Sequence, residues 1–486
     1  MIIPNCEEIE AYAKDYDLVP VCREIYADIA TPIGLLRKIA AIGERYYLLE
    51  SVEGGEKWAR YSFLGYDPIL LVGCKNGVVT IEENGKTKTS ATQNPMEVLR
   101  ELLLARRAPK IKGQPPFTGG FVGYFAYAMM AYTEPSLIMK RGNFKDFDLM
   151  LFDKVIAYDH LKQKIFVIVN IKTDRLMENY GQAMAEIEKI VAIIHSPIIP
   201  ETPKAGKASN FLCNVSKEEY CGMVKETKEF IRNGDIFQAV ISRQFTAKYD
   251  GSLMDAYRVL RASNPSPYMV YMKLGDTELM CSSPETLVRL EEGRLTTFPV
   301  AGSRPRGDTE EEDTALEREL LQDEKELSEH NMLVDLGRND LGRISKFGTV
   351  RLTAYKMIHR YTKIMHICSQ VESDIQSDMD GCSAIVAVLP AGTLSGAPKI
   401  RACQIIDKLE KEPRGIYGGA LGYLDFTGNM DTCIAIRMAV LKGGKLYVQA
   451  GGGIVADSDP EKEYEETANK AAAVMAAIRN ASEVEA

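Results

Sequence analysis

Hydrophobic positions along the chain recur with two different periods, and the two kinds of stretch are mixed along its length. Short runs rich in β-branched and aromatic residues predict β-strands. Before residue 196 the predicted strands are Tyr46–Glu50, Ile69–Val72, Phe147–Asp153 and Lys164–Val169. After residue 210 they are Phe237–Phe245, Tyr268–Lys273, Glu278–Cys281, Leu295–Val300, Gly348–Leu352 and Leu446–Ala450.

Longer amphipathic or charged stretches predict helices. These are Asn94–Leu104, Asn179–Ile194, Lys217–Asn233, Thr309–Leu336 and Glu461–Asn480. Several predicted strands follow one another with no helix between them. This order favours an α+β fold over a doubly wound parallel sheet, in which strands and helices alternate.

The clearest break in the pattern is Ser196–Asn210, which contains three prolines and shows no apolar periodicity. We interpret it as a linker between two domains, residues 1–195 and 211–486. The pattern GGxxGY occurs once on each side of it, at Gly119–Tyr124 and at Gly418–Tyr423. This repetition hints that the two halves are related.

Composition and charge exclude several classes of protein. Apolar residues make up 45% of the 486 positions, which is typical of a globular chain. The 59 Lys and Arg against 68 Asp and Glu give a net charge of −9, which argues against a nucleic-acid partner. No run of about 20 apolar residues predicts a membrane span, and the acidic N-terminus does not resemble a signal peptide. We therefore expect a cytoplasmic protein, whose ten scattered cysteines form no zinc motif.

Two pairs of glutamates carry the strongest chemical signal. Glu326 and Glu329 are spaced i, i+3, as are Glu463 and Glu466, so each pair lies on one face of a predicted helix. Both pairs border apolar stretches, where a carboxylate needs a partner. Four oxygen donors without a nearby Cys or His suit a hard cation, and Mg²⁺ fits better than Zn²⁺. Solvated acidic helix faces are the alternative interpretation.

Other residues suggest a small anionic ligand. Gly451, Gly452 and Gly453 follow a predicted strand, and their unshielded N–H groups could cradle a carboxylate, although a flexible turn would look the same. Arg437 is a cation within an apolar predicted strand and requires a carboxylate from protein or ligand. His366 lies alone on an apolar segment, which is equally typical of a core histidine. From the residues alone we infer a Mg²⁺ enzyme that acts on a small carboxylate-bearing molecule.

Taken together, the motifs resemble those of anthranilate synthase component I, the aminase subunit that uses chorismate in tryptophan biosynthesis. The resemblance spans nearly the whole chain. It rests on motifs that occur in the usual order, namely LLES, RYSFLG, GDIFQAVISRQF, NPSPYM, SSPE, PVAGSRPRG, EHNMLVDLGRNDLGR, PAGTLSGAPK, YGGALGY and GGGIVADSDPEKEYEET. It implies mixed or antiparallel sheets that pack as a sandwich flanked by helices, with a regulatory N-terminal domain and a chorismate-binding C-terminal domain.

The resemblance implies a role for each matching position. Glu329 and Glu466 would bind Mg²⁺ directly, and Glu326 and Glu463 would bind it through water. Chorismate would be held by Tyr417, Arg437 and the backbone of five residues, Gly302, Ser303, Gly451, Gly452 and Gly453. Glu285 would be the general acid and Lys470 would help to neutralise the site. His366 and Thr393 would assist in positioning and in the final elimination.

Two positions separate the relatives that use chorismate differently. Isochorismate synthases carry a lysine base where this chain has Gln238, which is neutral and cannot activate water. Aminodeoxychorismate synthases carry a nucleophilic lysine where this chain has Ala301. Both positions point to anthranilate, and aminodeoxychorismate synthase component I stays the alternative. A tryptophan-sensing binding protein without activity is a further alternative, which the complete set of acidic and basic site residues disfavours.

Regulation and ammonia supply follow from the same resemblance. LLES and NPSPYM resemble a feedback site for L-tryptophan, in which Glu50 and Ser51 would meet the charged end of the amino acid. Pro267, Tyr268 and Met269 would close over it. The chain has no GxCxG nucleophile elbow. We therefore expect ammonia to come from a partner glutamine amidotransferase subunit or from free ammonium.

Overall fold

A computed structural model describes residues 2–51, 60–198, 200–201, 203–361 and 364–484. The α-helices are α1 Cys6–Tyr12, α2 Pro32–Ala40, α3 Pro95–Leu104, α4 Leu176–His195, α5 Lys217–Arg232, α6 Met254–Ser263, α7 Glu310–Gln322, α8 Glu324–Gly342, α9 Gly381–Val388, α10 Lys399–Leu409 and α11 Pro460–Arg479. The strands of the N-terminal half are β1 Ile2–Ile3, β2 Leu18–Tyr26, β3 Arg45–Glu50, β4 Tyr61–Tyr66, β5 Leu70–Lys75, β6 Val78–Glu83, β7 Lys86–Ala91, β8 Gly120–Phe125, β9 Phe147–Phe152, β10 Lys154–Asp159 and β11 Lys164–Lys172.

The strands of the C-terminal half are β12 Leu212–Cys213, β13 Gln238–Lys248, β14 Tyr268–Leu274, β15 Thr277–Ser283, β16 Thr286–Glu291, β17 Arg294–Thr297, β18 Val300–Pro305, β19 Arg351–Arg360, β20 Ile364–Asp374, β21 Gly396–Ala397, β22 Ala420–Asp425, β23 Met430–Ile434, β24 Met438–Lys442 and β25 Lys445–Ile454. Short 3₁₀ turns occupy Tyr127–Tyr132, Gly392–Leu394 and Asn480–Glu483.

These strands form two large sheets. The first has the order β1-β2-β11-β10-β4-β3-β14-β15-β24-β25-β13-β12, with β21 against β13. The second has the order β18-β20-β17-β16-β23-β22-β8-β9-β5-β6-β7, with β19 against β20. Every strand pairing among the described residues is antiparallel. The prediction of an α+β fold is confirmed. The resemblance implied mixed or antiparallel sheets, and the sheets of the described residues are antiparallel.

The two sheets pack face to face around an apolar layer. Tyr47 of the first sheet meets Phe152 of the second edge-on, with ring centroids 4.8 Å apart. Phe63 of the first sheet likewise meets Tyr423 of the second at 6.1 Å. Edge-to-face pairs of this kind add about 0.5–1.5 kcal/mol to the gain from burial. Helices cover the outer faces, for example α4 on β11 and α11 on β25, so the structure is a sandwich flanked by helices.

The two halves of the chain share both sheets. In the first sheet β3 pairs with β14, and in the second β8 pairs with β22, so each sheet crosses the predicted linker. The repeated GGxxGY segments are the two strands that meet in the second sheet, where Gly123 lies opposite Gly422. The two predicted domains are therefore segments of the chain that share both sheets and the core between them. The boundary at 196–210 itself stays a prediction.

Some predicted elements differ from the observed ones. The helix predicted over Thr309–Leu336 is two helices, because Asp323 ends α7 and its side chain caps the N-terminus of α8. The strand predicted over Leu295–Val300 is interrupted between β17 and β18, where Pro299 lacks an N–H for the ladder. No helix among the described residues is both long and apolar enough to cross a membrane.

Candidate active site

Glu285 lies in the short connection between β15 and β16. One oxygen of its carboxyl group accepts a hydrogen bond of 3.0 Å from the Thr393 hydroxyl, and its backbone carbonyl accepts one of 3.0 Å from the Ile434 N–H. Burial raises the pKa of Glu285 to about 8, against smaller opposing effects of Thr393 and of Arg437. The side chain is therefore protonated at neutral pH, as a general acid must be.

Arg437 lies between strands, and the prediction that it sits inside one is wrong. Strand β23 ends at Ile434 and β24 begins at Met438, so Arg437 occupies the break with a φ of 48°. Within the described part of the chain its guanidinium has no hydrogen-bond or ion-pair partner, and burial lowers its pKa. A partly buried cation without a protein carboxylate is a ready binding site for an anionic ligand group.

His366, on β20, is fixed by a backbone carbonyl. Its Nδ1 lies 2.9 Å from the Gly302 oxygen. Because a carbonyl oxygen can only accept, Nδ1 must carry the hydrogen and donate the hydrogen bond. Burial lowers the pKa of His366, which keeps the ring neutral and leaves Nε2 as an acceptor. Gly302 has a φ of 71° and forms a bulge in the pairing of β18 with β20. Only a residue that tolerates this conformation can present its carbonyl to the histidine.

The glycines 451–453 are not a turn. They continue β25 opposite residues 240–242 of β13. Their other side is open, since β24 pairs with β25 only as far as Val448. The Gly451 carbonyl already accepts a hydrogen bond from Lys470, so only the remaining backbone groups on this open side are available to a ligand.

Side chains of the site approach these glycines closely. A Cβ atom added to Gly452 would lie 2.7 Å from Glu463 Oε2, and one added to Gly453 would lie 2.5 Å from Gln238 Nε2. A Cβ on Gly451 would lie 3.1 Å from the Tyr417 hydroxyl. A residue with a Cβ atom at these positions would therefore push these side-chain groups aside.

The four predicted metal-binding glutamates lie on α8 and α11. Lys470 pairs with Glu466 at 2.6 Å and donates to the Gly451 carbonyl at 3.2 Å. Glu463 accepts a hydrogen bond of 2.7 Å from Ser458, and Glu326 lies 3.5 Å from the Arg304 guanidinium.

Burial and mutual repulsion act on these acids. Burial raises the pKa of Glu329, and the charges of Glu326 and Glu466 raise it further. Burial also raises the pKa of Glu463, again with a contribution from Glu466. The carboxylates of the two helices therefore repel one another, and a cation placed among them would relieve this repulsion.

The described side chains do not form a complete metal-binding site. In the described ranges, no three Asp, Glu, His or Cys side chains converge closely enough to hold one ion. The donors are all carboxylate oxygens, which is the set that Mg²⁺ accepts, commonly with several retained waters. The chemistry of the donors therefore fits the predicted ion, while their present spacing calls for bridging water or a shift of side chains.

A second site lies between the two sheets. A cavity of about 360 Å³ is lined by Glu50 and Ser51 from the end of β3 and by Pro267 and Tyr268 at the start of β14. The structure places these four predicted residues around one cavity. Met269 does not line it, because side chains alternate along β14 and that of Met269 is fully buried in the core on the other face.

Glu50 is already well bonded in this cavity. It accepts hydrogen bonds of 2.7 Å from the Tyr257 hydroxyl and of 2.8 Å from Arg261 Nε. Its other oxygen accepts from Arg261 Nη2 at 3.1 Å and from the Ser62 hydroxyl at 3.3 Å. These bonds use the roughly four lone pairs of the carboxylate, so a ligand amine would have to replace one of the protein donors.

Sequence reasoning missed the polar network at the other side of this cavity. Arg289 donates to Asp431 at 2.8 Å, and the Tyr268 hydroxyl donates to the same carboxylate at 2.8 Å. Arg289 and Asp431 are 142 residues apart and neither belongs to a recognisable motif. Only the pairing of β16 with β23 brings them together, so no local signal could have found them.

Matches with known proteins identify the family of the chain. A sequence model of the family described as chorismate binding enzyme matches residues 46–476. The chain belongs to this family. The matched range includes both sheets' shared strands and the candidate residues from Glu50 to Lys470.

Several relatives match over almost their full length. The chain is 46% identical to an anthranilate synthase component 1 of Acetivibrio thermocellus, with 100% of both chains covered. It is 43% identical to that of Aquifex aeolicus, over 99% of this chain and 98% of the relative. The crystal structure of anthranilate synthase component I from Streptococcus pneumoniae matches with a TM-score of 0.75 and 36% identity, over 93% of this chain and 98% of that one.

The fold extends to a more distant member. The menaquinone-specific isochorismate synthase of Escherichia coli matches with a TM-score of 0.69 at 18% identity, over 97% of this chain and 98% of that one. At this identity the match shows a common fold. The α+β sandwich is thus shared by enzymes with different names.

Proposed function

We propose that the chain is the aminase subunit of an anthranilate synthase. It would convert chorismate and ammonia to anthranilate, pyruvate and water. The observation that carries the proposal is the pair formed by Glu285, which burial keeps protonated, and Arg437, whose guanidinium has no partner among the described residues. Such a pair can bind an anionic substrate and protonate its leaving group. The names of the full-length relatives support the same reaction.

In the proposed reaction, Arg437 and Tyr417 hold the enolpyruvyl carboxylate of chorismate. Glu285 gives its proton to the departing C4 hydroxyl while ammonia adds at C2. The added ammonia loses a proton to give the amine. His366 then takes the proton from C2 through Nε2, the C3–O bond breaks as the ring becomes aromatic, and the released enolpyruvate takes up a proton to give pyruvate. The bond from His366 Nδ1 to the Gly302 carbonyl supports this role, because it fixes the tautomer that leaves Nε2 basic.

Ammonia is the nucleophile that the neighbouring side chains favour. Gln238 is 3% exposed and neutral, so it cannot deprotonate water. Ala301 is 9% exposed and offers no amine that could attack the ring itself. Both features favour anthranilate synthesis over the isochorismate and aminodeoxychorismate reactions.

Glu329 and Glu466 would hold Mg²⁺ directly, and Glu326 and Glu463 would hold it through water. When bound, the ion supplies positive charge that neutralises and orients the ring carboxylate of the substrate. Lys470 contributes a second positive charge, fixed by Glu466 and by the Gly451 carbonyl.

L-tryptophan is the proposed occupant of the cavity between the sheets. Glu50 and Ser51 would meet the charged end of the amino acid, with the ligand amine replacing one of the protein donors on Glu50, and the aromatic and apolar wall suits an indole ring. Binding there would lower the affinity for chorismate, and by linkage chorismate would lower the affinity for tryptophan.

The test combines the purified chain with chorismate, Mg²⁺ and ammonium at alkaline pH. Anthranilate is followed by its fluorescence and pyruvate by a coupled assay. Equal amounts of both products support the proposal. Absence of a fluorescent product, or an aminated product without pyruvate, would overturn it.

A further inference from the structure

A buried ion pair lies behind the candidate active site, in the chain segment between α10 and β22. Arg414 donates to the Glu410 carboxylate from Nε at 2.9 Å and from Nη2 at 2.6 Å. Only 2% of the Arg414 side chain and 5% of the Glu410 side chain are exposed. Burying two charges costs free energy, and an apolar pair of similar volume is often as stable. Stability alone therefore does not account for this pair.

One contact of the pair leads to the candidate acid. Arg414 Nη1 donates to the Leu394 carbonyl at 2.6 Å. Leu394 is the last residue of the 3₁₀ turn Gly392–Leu394. The residue before it is Thr393, whose hydroxyl donates to Glu285 at 3.0 Å. The guanidinium thus holds the backbone of the turn that presents this hydroxyl to the acid.

A second contact leads to the tyrosine proposed to bind the substrate. The Arg414 guanidinium lies 5.8 Å from the centre of the Tyr417 ring. Burial raises the pKa of Tyr417, and the positive charge of Arg414 opposes this effect. A nearby cation that stabilises the phenolate also makes the phenol a better hydrogen-bond donor to a carboxylate. Arg414 therefore acts on both the place and the donor strength of this hydroxyl.

The pair also holds strand β13. Glu410 Oε1 accepts hydrogen bonds from the Ser242 N–H and from the Ser242 hydroxyl, both at 2.8 Å. Ser242 lies opposite Gly451 in the pairing of β13 with β25. Arg414 Nη2 donates to the Val240 carbonyl of the same strand at 2.6 Å. The pair is thus bonded to the strand next to the glycines that are proposed to line the substrate.

We propose that the Glu410–Arg414 pair positions two groups of the active site. It holds the Thr393 hydroxyl on Glu285, and it holds the Tyr417 ring where the substrate carboxylate binds. Neither member of the pair touches the substrate, so both act through these neighbours. This inference rests on the proposed function, which assigns the acid and the tyrosine their roles. An apolar pair could fill the same space but could not bond to the backbone of the turn.

The bond from Thr393 gives the proposal a measurable consequence. Burial raises the pKa of Glu285 to about 8, and Thr393 and Arg437 lower it, because both stabilise the charged carboxylate. Without the contact to Arg414, the turn would release the hydroxyl and the pKa of Glu285 would rise further. The rate per molecule of free ammonia would then begin to fall at a higher pH than in the wild type.

Two variants weaken the pair in different ways. Arg414→Lys keeps the positive charge but loses the planar set of donors that reaches several partners at once. Glu410→Gln keeps an acceptor for Ser242 but loses the negative charge that Arg414 faces. In both variants kcat/KM for chorismate is measured with ammonium over a pH range centred on about 8, and circular dichroism checks the fold.

Each variant has a matched control on α10. Arg401→Lys changes a partly exposed arginine that pairs with Asp235 at 2.9 Å. Glu226→Gln removes the acid of a surface pair, which lies 2.6 Å from Lys408 of this helix. Neither pair contacts the turn, the tyrosine or the strand segment described above. Both controls should give the rate and the pH profile of the wild type.

We expect Arg414→Lys and Glu410→Gln to lower kcat/KM at least about tenfold and to move its fall at high pH upward by about half a unit. Thr393→Val should cause the same upward shift. Adding Arg414→Lys to Thr393→Val should shift the profile no further, because the hydroxyl through which the pair acts is already absent.

Three results would overturn the proposal. The first is an unchanged pH profile in a folded variant, even with a reduced rate, because the pair would then serve only stability. The second is a shift that adds to that of Thr393→Val. The third is unfolding of both variants, which would make the pair a requirement of the fold. Failure of the proposed function is distinguishable, because then the wild type itself makes no anthranilate or shows no fall near pH 8.

Discussion

The Tyr268 hydroxyl lies 2.9 Å from the Thr286 hydroxyl, and Thr286 is the residue directly after Glu285. Tyr268 lines the cavity between the sheets, so this hydrogen bond joins the wall of the proposed tryptophan site to the backbone of the candidate acid. Tyr268 also donates to Asp431 at 2.8 Å. A ligand that moved the Tyr268 ring would therefore disturb its hydrogen bonds to both Thr286 and Asp431.

Tyr268→Phe should weaken inhibition by tryptophan and leave the uninhibited rate largely intact. The substitution removes the hydroxyl that connects the cavity to Thr286, and it costs about 1–3 kcal/mol of stability because two buried partners lose a hydrogen bond. The measurement is the inhibition constant for tryptophan at several chorismate concentrations. Tyr355→Phe is the control, because that tyrosine gives up a surface bond of 2.6 Å to Asn331. Unchanged inhibition would disprove the connection.

Ser51→Phe should abolish inhibition by filling part of the cavity that Ser51 lines. Anthranilate formation without tryptophan should continue at a similar rate, since Ser51 does not contact the candidate active site. Tryptophan binding can be measured by calorimetry and inhibition by fluorescence. Ser90→Phe, on the exposed strand β7, provides the control. If Ser51→Phe stays fully inhibited, tryptophan binds elsewhere.

Glu285→Gln should reduce kcat by at least about 10²-fold, because an amide cannot protonate the leaving hydroxyl. In the wild type, the rate per molecule of free ammonia should fall as pH rises through about 8, where Glu285 loses its proton. A profile without this fall would exclude Glu285 as the acid.

Stability gives an independent check of the same group. The raised pKa means that the folded state keeps a proton which the unfolded chain releases near the ordinary glutamate pKa of 4.5. Wild-type stability should therefore decline between about pH 4.5 and 8 as the unfolded state is favoured. Glu285→Gln should remove this part of the decline in chemical denaturation, while its far-UV circular dichroism stays that of the wild type.

Arg437→Lys should raise KM for chorismate and lower kcat/KM by about 10–100-fold. A lysine keeps the charge but loses the planar pair of donors that fits a carboxylate. Steady-state kinetics with ammonium measure the effect, and Arg338→Lys on the exposed face of α8 serves as the comparison. Equal kinetics for Arg437→Lys and the wild type would remove Arg437 from the substrate site.

Gly452→Ala should weaken activity and raise the Mg²⁺ concentration needed for half-maximal rate. The new Cβ would lie 2.7 Å from Glu463 Oε2 and would push that carboxylate away. Gly222→Ala is the matched control, because no atom lies within 4 Å of a Cβ at this helical position. It should be neutral or stabilise the protein by about 0.5–1 kcal/mol. Similar metal titrations for the two variants would contradict the predicted role of Glu463.

The sequence predicted those helices and strands that depend mainly on the local pattern of residues. Helix α5 begins at Ser216, whose side chain forms a capping box with Glu219, and the predicted Lys217–Asn233 matches it within one residue. The pattern could not reveal how the halves join, because β3 and β14 are separated by more than 200 residues and pair only in three dimensions. Periodicity likewise could not show that Arg437 leaves the strand, since its neighbours are apolar on both sides.

For the candidate site, residues in motifs were found and isolated ones were not. Glu285, Thr393, Arg437 and Gly302 belong to recognisable segments, and the structure brings Thr393 and Gly302 into contact with Glu285 and His366 respectively. Arg289 and Asp431 interact across two strands without a motif. Asp340 and Lys399 do belong to motifs, but their pairing across 59 positions could not be read from spacing.

The sharing of both sheets limits how this protein can be divided or recombined. A fragment that began at residue 211 would leave β14 and β22 without their neighbours β3 and β8, exposing two unpaired apolar strand edges that invite aggregation. The parts proposed to bind the inhibitor and the substrate therefore cannot be exchanged as independent modules. Any change of preference at the proposed inhibitor site must arise by substitution within one continuous fold, next to the strands that hold the candidate catalytic residues.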